Sequence, residues 1–161
     1  MQYRIGQGQD FHKLIKGEDF ILGGVNIPFE KGIKGHSDGD LVIHAIVDSL
    51  LGALALGDIG TYFPSEDKKW KNVDSRTFLE QVIELVSNNH YSISNIDCTV
   101  ILQAPHINKY INQIKLNLAN IMKISVSNIS VKATTTDKLG FIGRGNGIGC
   151  TAICLLLSNH E

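Results

Sequence analysis

The chain has 161 residues, 43% of them hydrophobic, and its 15 Lys and Arg nearly balance its 16 Asp and Glu. This length and composition predict a single globular domain over residues 1–161 with one core. The basic residues are scattered, which argues against a nucleic-acid duplex or an anionic membrane as the partner and favours a small-molecule substrate.

The three cysteines predict a reducing compartment. They are odd in number and lie in apolar runs, which argues against a disulfide framework. We interpret Cys150 and Cys154 as one buried face of a strand rather than as zinc ligands, because no second Cys/His pair has finger-like spacing. The chain begins without a signal-like segment, and its longest apolar stretch, residues 50–56, is too short to span a bilayer. We therefore expect a cytoplasmic protein.

The predicted elements begin with a short hairpin, in which residues 20–22 and 25–29 flank Gly23-Gly24. Apolar and small residues then form one helical stripe over residues 40–56, ended by Gly57. A second amphipathic helix is expected at residues 78–86, capped by Asp74 or Ser75.

The second half of the chain continues the alternation of strands and helices. Residues 93–102 read as a strand, residues 107–121 as a helix after Pro105, and residues 129–134 and 147–157 as strands. We predict an α+β fold with a mixed four-stranded sheet, helices packed on one face of it, and the small additional hairpin.

Three residues suggest a metal site. In an extended segment Asp10 and His12 project from the same face and can chelate one ion, although this pair alone is weak evidence. His44 lies in an otherwise apolar helix, where Asp40 and Asp48, one turn to either side, could orient its imidazole. Two His and one Asp would leave zinc one open position, which is typical of catalytic sites.

Two further motifs favour a phosphorylated substrate. Residues 35–40, with sequence GHSDGD, directly precede the helix that carries His44, where unpaired backbone N–H groups attract phosphate. Residues 132–138, KATTTDK, combine hydroxyl, carboxylate and ammonium groups, and residues 140–145 add flexible backbone and an Arg. The alternatives are a turn with a helix cap for the first motif and simple strand propensity for the second.

These motifs, together with residues 51–53, 57–60, 63–64 and 103–105, resemble the 2-C-methyl-D-erythritol 2,4-cyclodiphosphate synthase family over essentially the whole chain. The resemblance implies a homotrimer with active sites between subunits. It also implies a phosphorus–oxygen lyase that cyclises 4-diphosphocytidyl-2-C-methyl-D-erythritol 2-phosphate and releases CMP, in the non-mevalonate route to isoprenoids.

The resemblance also implies residue roles. Asp10, His12 and His44 would bind Zn²⁺, one ion per subunit, and Asp137 would bind Mg²⁺ or Mn²⁺ with the substrate diphosphate. His36 and Thr135 would stabilise the transition state. Besides Asp10, His12, His36 and Thr135, the substrate-binding positions would be Ser37, Asp58, Ile59, Gly60, Phe63, Pro64, Ser65, Glu66, Asp67, Leu102, Gln103, Ala104, Pro105, His106, Ile107, Asn108, Thr134, Thr136, Asp137, Lys138, Phe141 and Arg144.

The chain departs from the family pattern at a few positions. Asp137 stands where relatives commonly have Glu, and Asn146 replaces a common Glu. The segment Gly6–Gln9 lacks a His and an aromatic residue that relatives carry near an axial cavity for isoprenoid diphosphates, so we do not expect that ligand.

Two other functions use the same ligand set. A zinc-dependent phosphohydrolase would act through zinc-bound hydroxide, and a non-catalytic module would use zinc only to hold the fold together.

Overall fold

The structure is a computed structural model that describes residues 2–159. Met1, His160 and Glu161 of the predicted domain lie outside the described residues. In chain order the elements are β1 (Tyr3–Ile15), β2 (Ile21–Leu22), β3 (Val25–Asn26), β4 (Gly32–Lys34), α1 (Leu41–Ala53), α2 (Ile59–Tyr62), α3 (Arg76–Asn88), β5 (Tyr91–Ile101), α4 (Ile111–Met122), β6 (Ile129–Thr134), α5 (Gly140–Gly143) and β7 (Gly147–Ser158).

Within residues 2–159 the main sheet has five strands in the order β4-β1-β7-β5-β6. The neighbours β5 and β6 are parallel, and all other neighbouring pairs are antiparallel. The register aligns Phe11 with Gly149, Gly149 with Ile101 and Ile101 with Thr134, which forms one row across four strands. The mixed α+β class is therefore confirmed.

The predicted strand number was wrong by one. The additional strand β4 pairs with residues 13–15 at the end of β1. It has three residues with Ile33 as its one large apolar side chain, so it carries no alternation of apolar and polar residues that could reveal a strand. These three residues are held in an extended conformation by pairing with the long strand β1, not by a preference of the local sequence.

The helices cover one face of the sheet, as predicted. From Cys150 onward along β7, the buried residues Cys150, Ala152, Cys154 and Leu156 alternate with less buried ones, because successive side chains point to opposite faces. α1 packs on β1 and β7, and α4 packs on β6. All three cysteines are free and buried, in agreement with their predicted packing role.

Two glycines allow α1 to lie against the backbone of β1. A Cβ atom at Gly6 would lie 1.8 Å from the carbonyl oxygen of Ser49, and one at Gly8 would lie 2.0 Å from that of Ala45. Any side chain at these positions would push the helix away from the strand. The contact fixes the height of α1 above β1, the two elements that carry the predicted metal ligands.

The hairpin of β2 and β3 is also confirmed. Its turn residues Gly23 and Gly24 have φ values of +56° and +75°, in the left-handed region that favours glycine. Across residues 2–159, no helix has both the length and the apolar character needed to cross a bilayer.

Candidate functional site

Asp10, His12 and His44 converge at one point between β1 and α1. Asp10 and His12 project from the same face of β1 because they are two residues apart, and His44 reaches them from the helix above. The Oδ2 atom of Asp10 lies 3.1 Å from Nδ1 of His12 and 2.9 Å from Nδ1 of His44. The three side chains offer one ligand atom each within a common space.

This geometry fits a divalent metal. Tetrahedral zinc with bonds of about 2.0–2.1 Å separates its ligand atoms by roughly 3.3 Å, so the side chains need to open by only a few tenths of an ångström. Among the described residues, the buried Nδ1 atom of His12 has no hydrogen-bond partner, because its approach to Asp10 lacks hydrogen-bond geometry. A buried nitrogen directed at a carboxylate and a second imidazole is suited to metal binding.

The carboxyl of Asp10 stays ionised in this setting. Burial alone would raise its pKa, but the close contacts with the imidazoles of His12 and His44 outweigh burial and hold the pKa well below its usual range. Asp10 therefore offers a negatively charged oxygen to a metal ion across the physiological pH range.

We call Asp10, His12 and His44 the metal-ligand cluster, because these three side chains could hold a metal ion. Two of them, His12 and His44, line a cleft of about 190 Å³, which we call the first cleft. Its lining residues are His12, His36, Ser37, His44, Ile59, Gly60, Phe63, Ser65, Trp70 and Phe78. The aromatic residues form an apolar wall: Phe63 stacks on Phe78 at 4.5 Å between ring centroids, and Trp70 packs edge-on against Phe63 at 5.1 Å.

The predicted role of Asp40 and Asp48 in orienting His44 was wrong. The Asp40 carboxylate is fully buried and accepts hydrogen bonds from the backbone N–H groups of Gly23, Gly24 and Ile43. Asp48 accepts a 2.7 Å hydrogen bond from the N–H of Ile59, so it holds one wall of the first cleft. Neither carboxylate contacts the imidazole, because each satisfies a backbone donor of a neighbouring segment.

The contacts of Asp40 argue against the predicted phosphate site at the start of α1. Asp40 caps this helix through the N–H of Ile43 and fills the position where an external anion would bind. The backbone of residues 35–40 therefore forms a turn and a helix cap, the alternative to a phosphate site. The side chains of His36 and Ser37 line the first cleft.

The imidazole of His44 is instead contacted by two hydroxyl groups. Its Nε2 atom lies 2.9 Å from Oγ of Ser75 and 3.1 Å from Oγ of Ser37. The Ser75 hydroxyl also forms a short hydrogen bond with Asp38. Ser75 lies where α3 begins, but its side chain makes no capping hydrogen bond to that helix.

A second cleft of about 150 Å³ lies where β5 and β6 end. It is lined by Leu102, Gln103, Pro105, His106, Ile107, Asn108, Ala133, Thr134 and Thr135. The loops are joined by hydrogen bonds from Leu102 N to Thr134 O and from Lys138 N to Oε1 of Gln103. Eight predicted substrate-binding residues thus lie together here.

The two clefts are separated within one chain. Thr134 is in the same row of the sheet as Phe11, which lies between Asp10 and His12, but three strand spacings away. At about 4.8 Å per spacing this distance is roughly 14 Å. One phosphate group cannot contact both the metal-ligand cluster and Thr135 of the same chain.

The remaining predicted residues surround these clefts without lining them. Asp58 caps α2 by accepting from the N–H of Thr61, while Pro64, Glu66 and Asp67 follow in the loop after it. Phe141 lies on the uncovered face of the sheet, 6.4 Å from Phe11 between ring centroids. The other positions of this group, Ala104, Thr136, Asp137, Lys138 and Arg144, lie in or beside the loops after β5 and β6.

Three residues near the cluster, Trp70, Ser75 and Phe78, were missed by the sequence reasoning, and Asp38 was noted only as part of the motif at residues 35–40. Trp70 and Phe78 line the first cleft, and Ser75 and Asp38 form the hydroxyl–carboxylate pair next to His44. Ser75 had been noted only as a helix cap, and Phe78 only as part of an apolar stripe. Their location beside His44 depends on how α3 packs against α1, which no local pattern reveals.

Comparison with known proteins gives a consistent result. The model of the YgbB family matches residues 3–157. The 2-C-methyl-D-erythritol 2,4-cyclodiphosphate synthase of Clostridium perfringens is 54% identical over 154 residues, covering 96% of this chain and 99% of the relative. The synthase of the same name from Francisella philomiragia is 50% identical over 157 residues, with coverage of 97% and 99%.

Solved structures are similar as well. An IspF from Plasmodium falciparum in complex with CDP has a TM-score of 0.87 and 40% identity, covering 98% of this chain and 97% of that chain. The bifunctional IspDF of Campylobacter jejuni has a TM-score of 0.94 and 37% identity, covering 98% of this chain and 42% of that chain. The chain therefore belongs to the YgbB family, the family of the 2-C-methyl-D-erythritol 2,4-cyclodiphosphate synthases.

Proposed function

We propose that this chain converts 4-diphosphocytidyl-2-C-methyl-D-erythritol 2-phosphate to 2-C-methyl-D-erythritol 2,4-cyclodiphosphate, in the non-mevalonate route to isoprenoids. An oxygen of the 2-phosphate forms a bond to the β-phosphorus, the bond from that phosphorus to its bridging oxygen breaks, and CMP leaves. This is the reaction of a phosphorus–oxygen lyase. The observation that carries the proposal is the meeting of Asp10, His12 and His44 at the first cleft, in a chain of this family.

Ring closure by phosphoryl transfer needs two aligned phosphates and neutralised charge, but no protein nucleophile. Asp10, His12 and His44 hold one Zn²⁺ per subunit, which supplies positive charge to phosphate oxygens when bound. His36, at the first cleft, and Thr135, at the second, donate hydrogen bonds to charge that develops in the transition state. Asp137 takes part in holding Mg²⁺ or Mn²⁺ with the substrate diphosphate.

Each cleft binds a different part of the substrate. The first cleft, with its apolar wall, takes the methylerythritol phosphate, and the second takes the cytidine diphosphate. Two relatives of similar structure were solved with CDP, which supports a cytidine nucleotide as the ligand. In this proposal residues 1–161 form one synthase domain, and the remaining predicted substrate-binding residues act from the loops beside the clefts.

The proposed active enzyme is a homotrimer with each site shared by two subunits. The roughly 14 Å between Thr134 and Phe11, which lies between Asp10 and His12 in the same chain, supports this arrangement, because a neighbouring chain can bring its second cleft to the first cleft. The apolar residues Tyr3, Ile5, Phe11 and Ile153 on the uncovered sheet face also support contact between chains.

The direct test is incubation of the zinc-loaded protein with the proposed substrate, followed by phosphorus NMR. We expect the cyclic diphosphate and CMP in equal amounts, and an Asp10→Asn variant that keeps its fold should form neither. An open-chain phosphate product would contradict the cyclase proposal and favour a phosphohydrolase.

Chelation separates an enzyme from a module in which zinc only holds the fold together. We expect the metal-free protein to remain folded, because a core of many buried apolar residues does not depend on the metal ligands. Unfolding on chelation, seen by circular dichroism, would favour the structural role. We place the enzyme in the cytoplasm, an assignment supported by its three free, buried thiols.

A further inference from the structure

The hydroxyl of Ser75 lies between a proposed zinc ligand and a carboxylate. Its Oγ atom is 2.9 Å from Nε2 of His44 and also forms a short hydrogen bond with Oδ1 of Asp38. Ser75 is fully buried, so water does not compete for these contacts. His44, Ser75 and Asp38 thus form a continuous hydrogen-bonded chain that leads away from the metal-ligand cluster.

The surroundings of Asp38 determine the direction of these hydrogen bonds. Its carboxylate accepts from the backbone N–H groups of Asp40 and Ser75, both at 3.1 Å, and such groups can only donate. With both oxygens of Asp38 already accepting from N–H groups, the Ser75 hydroxyl is the donor in its contact with Oδ1 of Asp38. The free lone pairs of Ser75 Oγ then face His44, and Nε2 of His44 is the donor.

This direction leaves the other ring nitrogen of His44 without a proton. Nδ1 then faces Oδ2 of Asp10 at 2.9 Å, with Nδ1 of His12 3.1 Å from the same oxygen. Acceptor atoms this close repel one another unless a cation lies between them. The orientation of the His44 ring therefore matches a metal ion bound through Nδ1.

We propose that Ser75, itself oriented by Asp38, is a positioning residue that selects Nδ1 of His44 as the zinc ligand. The inference rests on the proposed function only in taking zinc as the metal, and it does not depend on turnover. Ser37 Oγ lies 3.1 Å from the same Nε2 atom and 3.3 Å from Ser75 Oγ, on the side of the first cleft.

Asp38 also connects this chain of hydrogen bonds to the loop that carries His36. Asp38 N donates to Val73 O at 3.2 Å, and Asn72 N donates to His36 O at 2.9 Å. The segment before α3 therefore holds the His36 loop and the His44 ring in place together. The hydrogen-bonded pair of Ser75 and Asp38 therefore joins the proposed zinc ligand His44 to the loop of a proposed transition-state stabiliser, His36.

The first test measures Zn²⁺ affinity by competition with a chromogenic chelator. We expect Ser75→Ala to weaken zinc binding by about 10- to 100-fold, the usual effect of removing a partner of a metal-bound His. Ser49→Ala is the matched control, because Ser49 is equally buried on α1 but its hydroxyl donates to Ile46 O rather than to His44. Ser75→Thr keeps the hydroxyl and should recover most of the affinity.

The second test identifies the ligating nitrogen by ¹⁵N NMR of the zinc-loaded, histidine-labelled protein. We expect His44 to carry its proton on Nε2 in the wild type, and Ser75→Ala and Asp38→Asn to alter the Nε2 signal. A purely structural role for Ser75 would not change this signal while circular dichroism stays native.

Several results would overturn the proposal. They are zinc ligation through Nε2, equal zinc affinity of Ser75→Ala and Ser49→Ala, or no zinc binding by the wild type. Failure of the proposed function would give a different result. The zinc-loaded wild type would form no cyclic product, but Ser75→Ala would still bind zinc more weakly than Ser49→Ala.

Discussion

At the residue scale, Asp40 joins two segments of the chain from a fully buried position. Its carboxylate accepts from the N–H groups of Gly23, Gly24 and Ile43 at 2.9, 2.6 and 3.2 Å. Burial raises the pKa of this carboxyl to about 6, although the N–H groups of Gly24 and Gly23 oppose the rise. The hairpin and the start of α1 are thus joined through a group that ionises close to neutral pH.

This pKa predicts a pH dependence of stability. Because folded Asp40 binds its proton more tightly than the unfolded chain does, its contribution to stability is complete below about pH 4 and is lost as the pH rises through about 6. In zinc-free protein, the difference in free energy of unfolding between wild type and Asp40→Asn should fall by up to about 3 kcal/mol from pH 4 to pH 7. Urea unfolding at several pH values measures it, and a constant difference would contradict the prediction.

The proposed metal ligands could be predicted from the sequence, but the residues that contact His44 could not. Asp10 and His12 are two residues apart on one strand, and His44 stands out as a polar residue in an apolar helix. Ser75 and Asp38 meet His44 only through the packing of separate segments. No spacing rule relates residues whose contact depends on tertiary structure.

At the element scale, the close contact of α1 with β1 determines where His44 lies. The helix can approach because Gly6 and Gly8 have no Cβ, and the same helix carries Asp48, which holds the wall of the first cleft. Stability and the geometry of the metal-ligand cluster therefore depend on the same interface.

We expect Gly8→Ala to damage both properties. The added methyl would lie 2.0 Å from the carbonyl oxygen of Ala45, which is backbone and cannot rotate away. Free energy of unfolding should fall by about 1–3 kcal/mol or more, and zinc affinity should fall with it as α1 moves.

Gly52→Ala is the matched control on α1 itself. The nearest atom to its added methyl is the carbonyl oxygen of Gln7 at 3.8 Å, an ordinary contact. Ala is preferred over Gly within a helix, so this variant should gain about 0.5–1 kcal/mol and keep its zinc affinity. Similar effects of the two substitutions would refute the role of the close contact.

The longer elements could be predicted because their apolar residues repeat with a helix or strand period. The third helix begins at Ile111 rather than at residue 107, since residues 108–110 form a separate 3₁₀ turn. The strand β4 and the helix α2 are too short for such a repeat, and both depend on partners distant in sequence: β1 for the strand, Asp48 for the helix.

At the scale of the whole molecule, the sheet has one face covered by helices and one uncovered face that carries exposed apolar side chains. Ile5 is 73% exposed on it and Ile153, in the central strand β7, is 48% exposed. Hydropathy alone did not mark this face, because its apolar side chains alternate with buried ones on the same strands. The trimer was expected from the family resemblance rather than from any local pattern.

Ile5→Lys should disrupt the proposed homotrimer, because it would bury an unpaired ammonium group between chains. Sedimentation analysis should show monomers that keep native circular dichroism. Leu116→Lys is the control, since Leu116 is 54% exposed on α4, on the opposite side of the sheet, and should leave assembly unchanged. A monomeric wild type would contradict the prediction directly.

Phe11 and Thr134 lie at opposite ends of one row of aligned residues across four strands of the sheet. This separation predicts how two mutant forms of the chain behave when they are mixed. If each site takes its metal half from one subunit and its Thr135 half from another, two different loss-of-function alleles can complement each other. Co-refolding equal amounts of His44→Ala and Thr135→Ala chains should restore about a quarter of the sites, because random assembly pairs the two intact halves at that frequency. Each variant alone should be inactive, and an inactive mixture would place both halves in one chain.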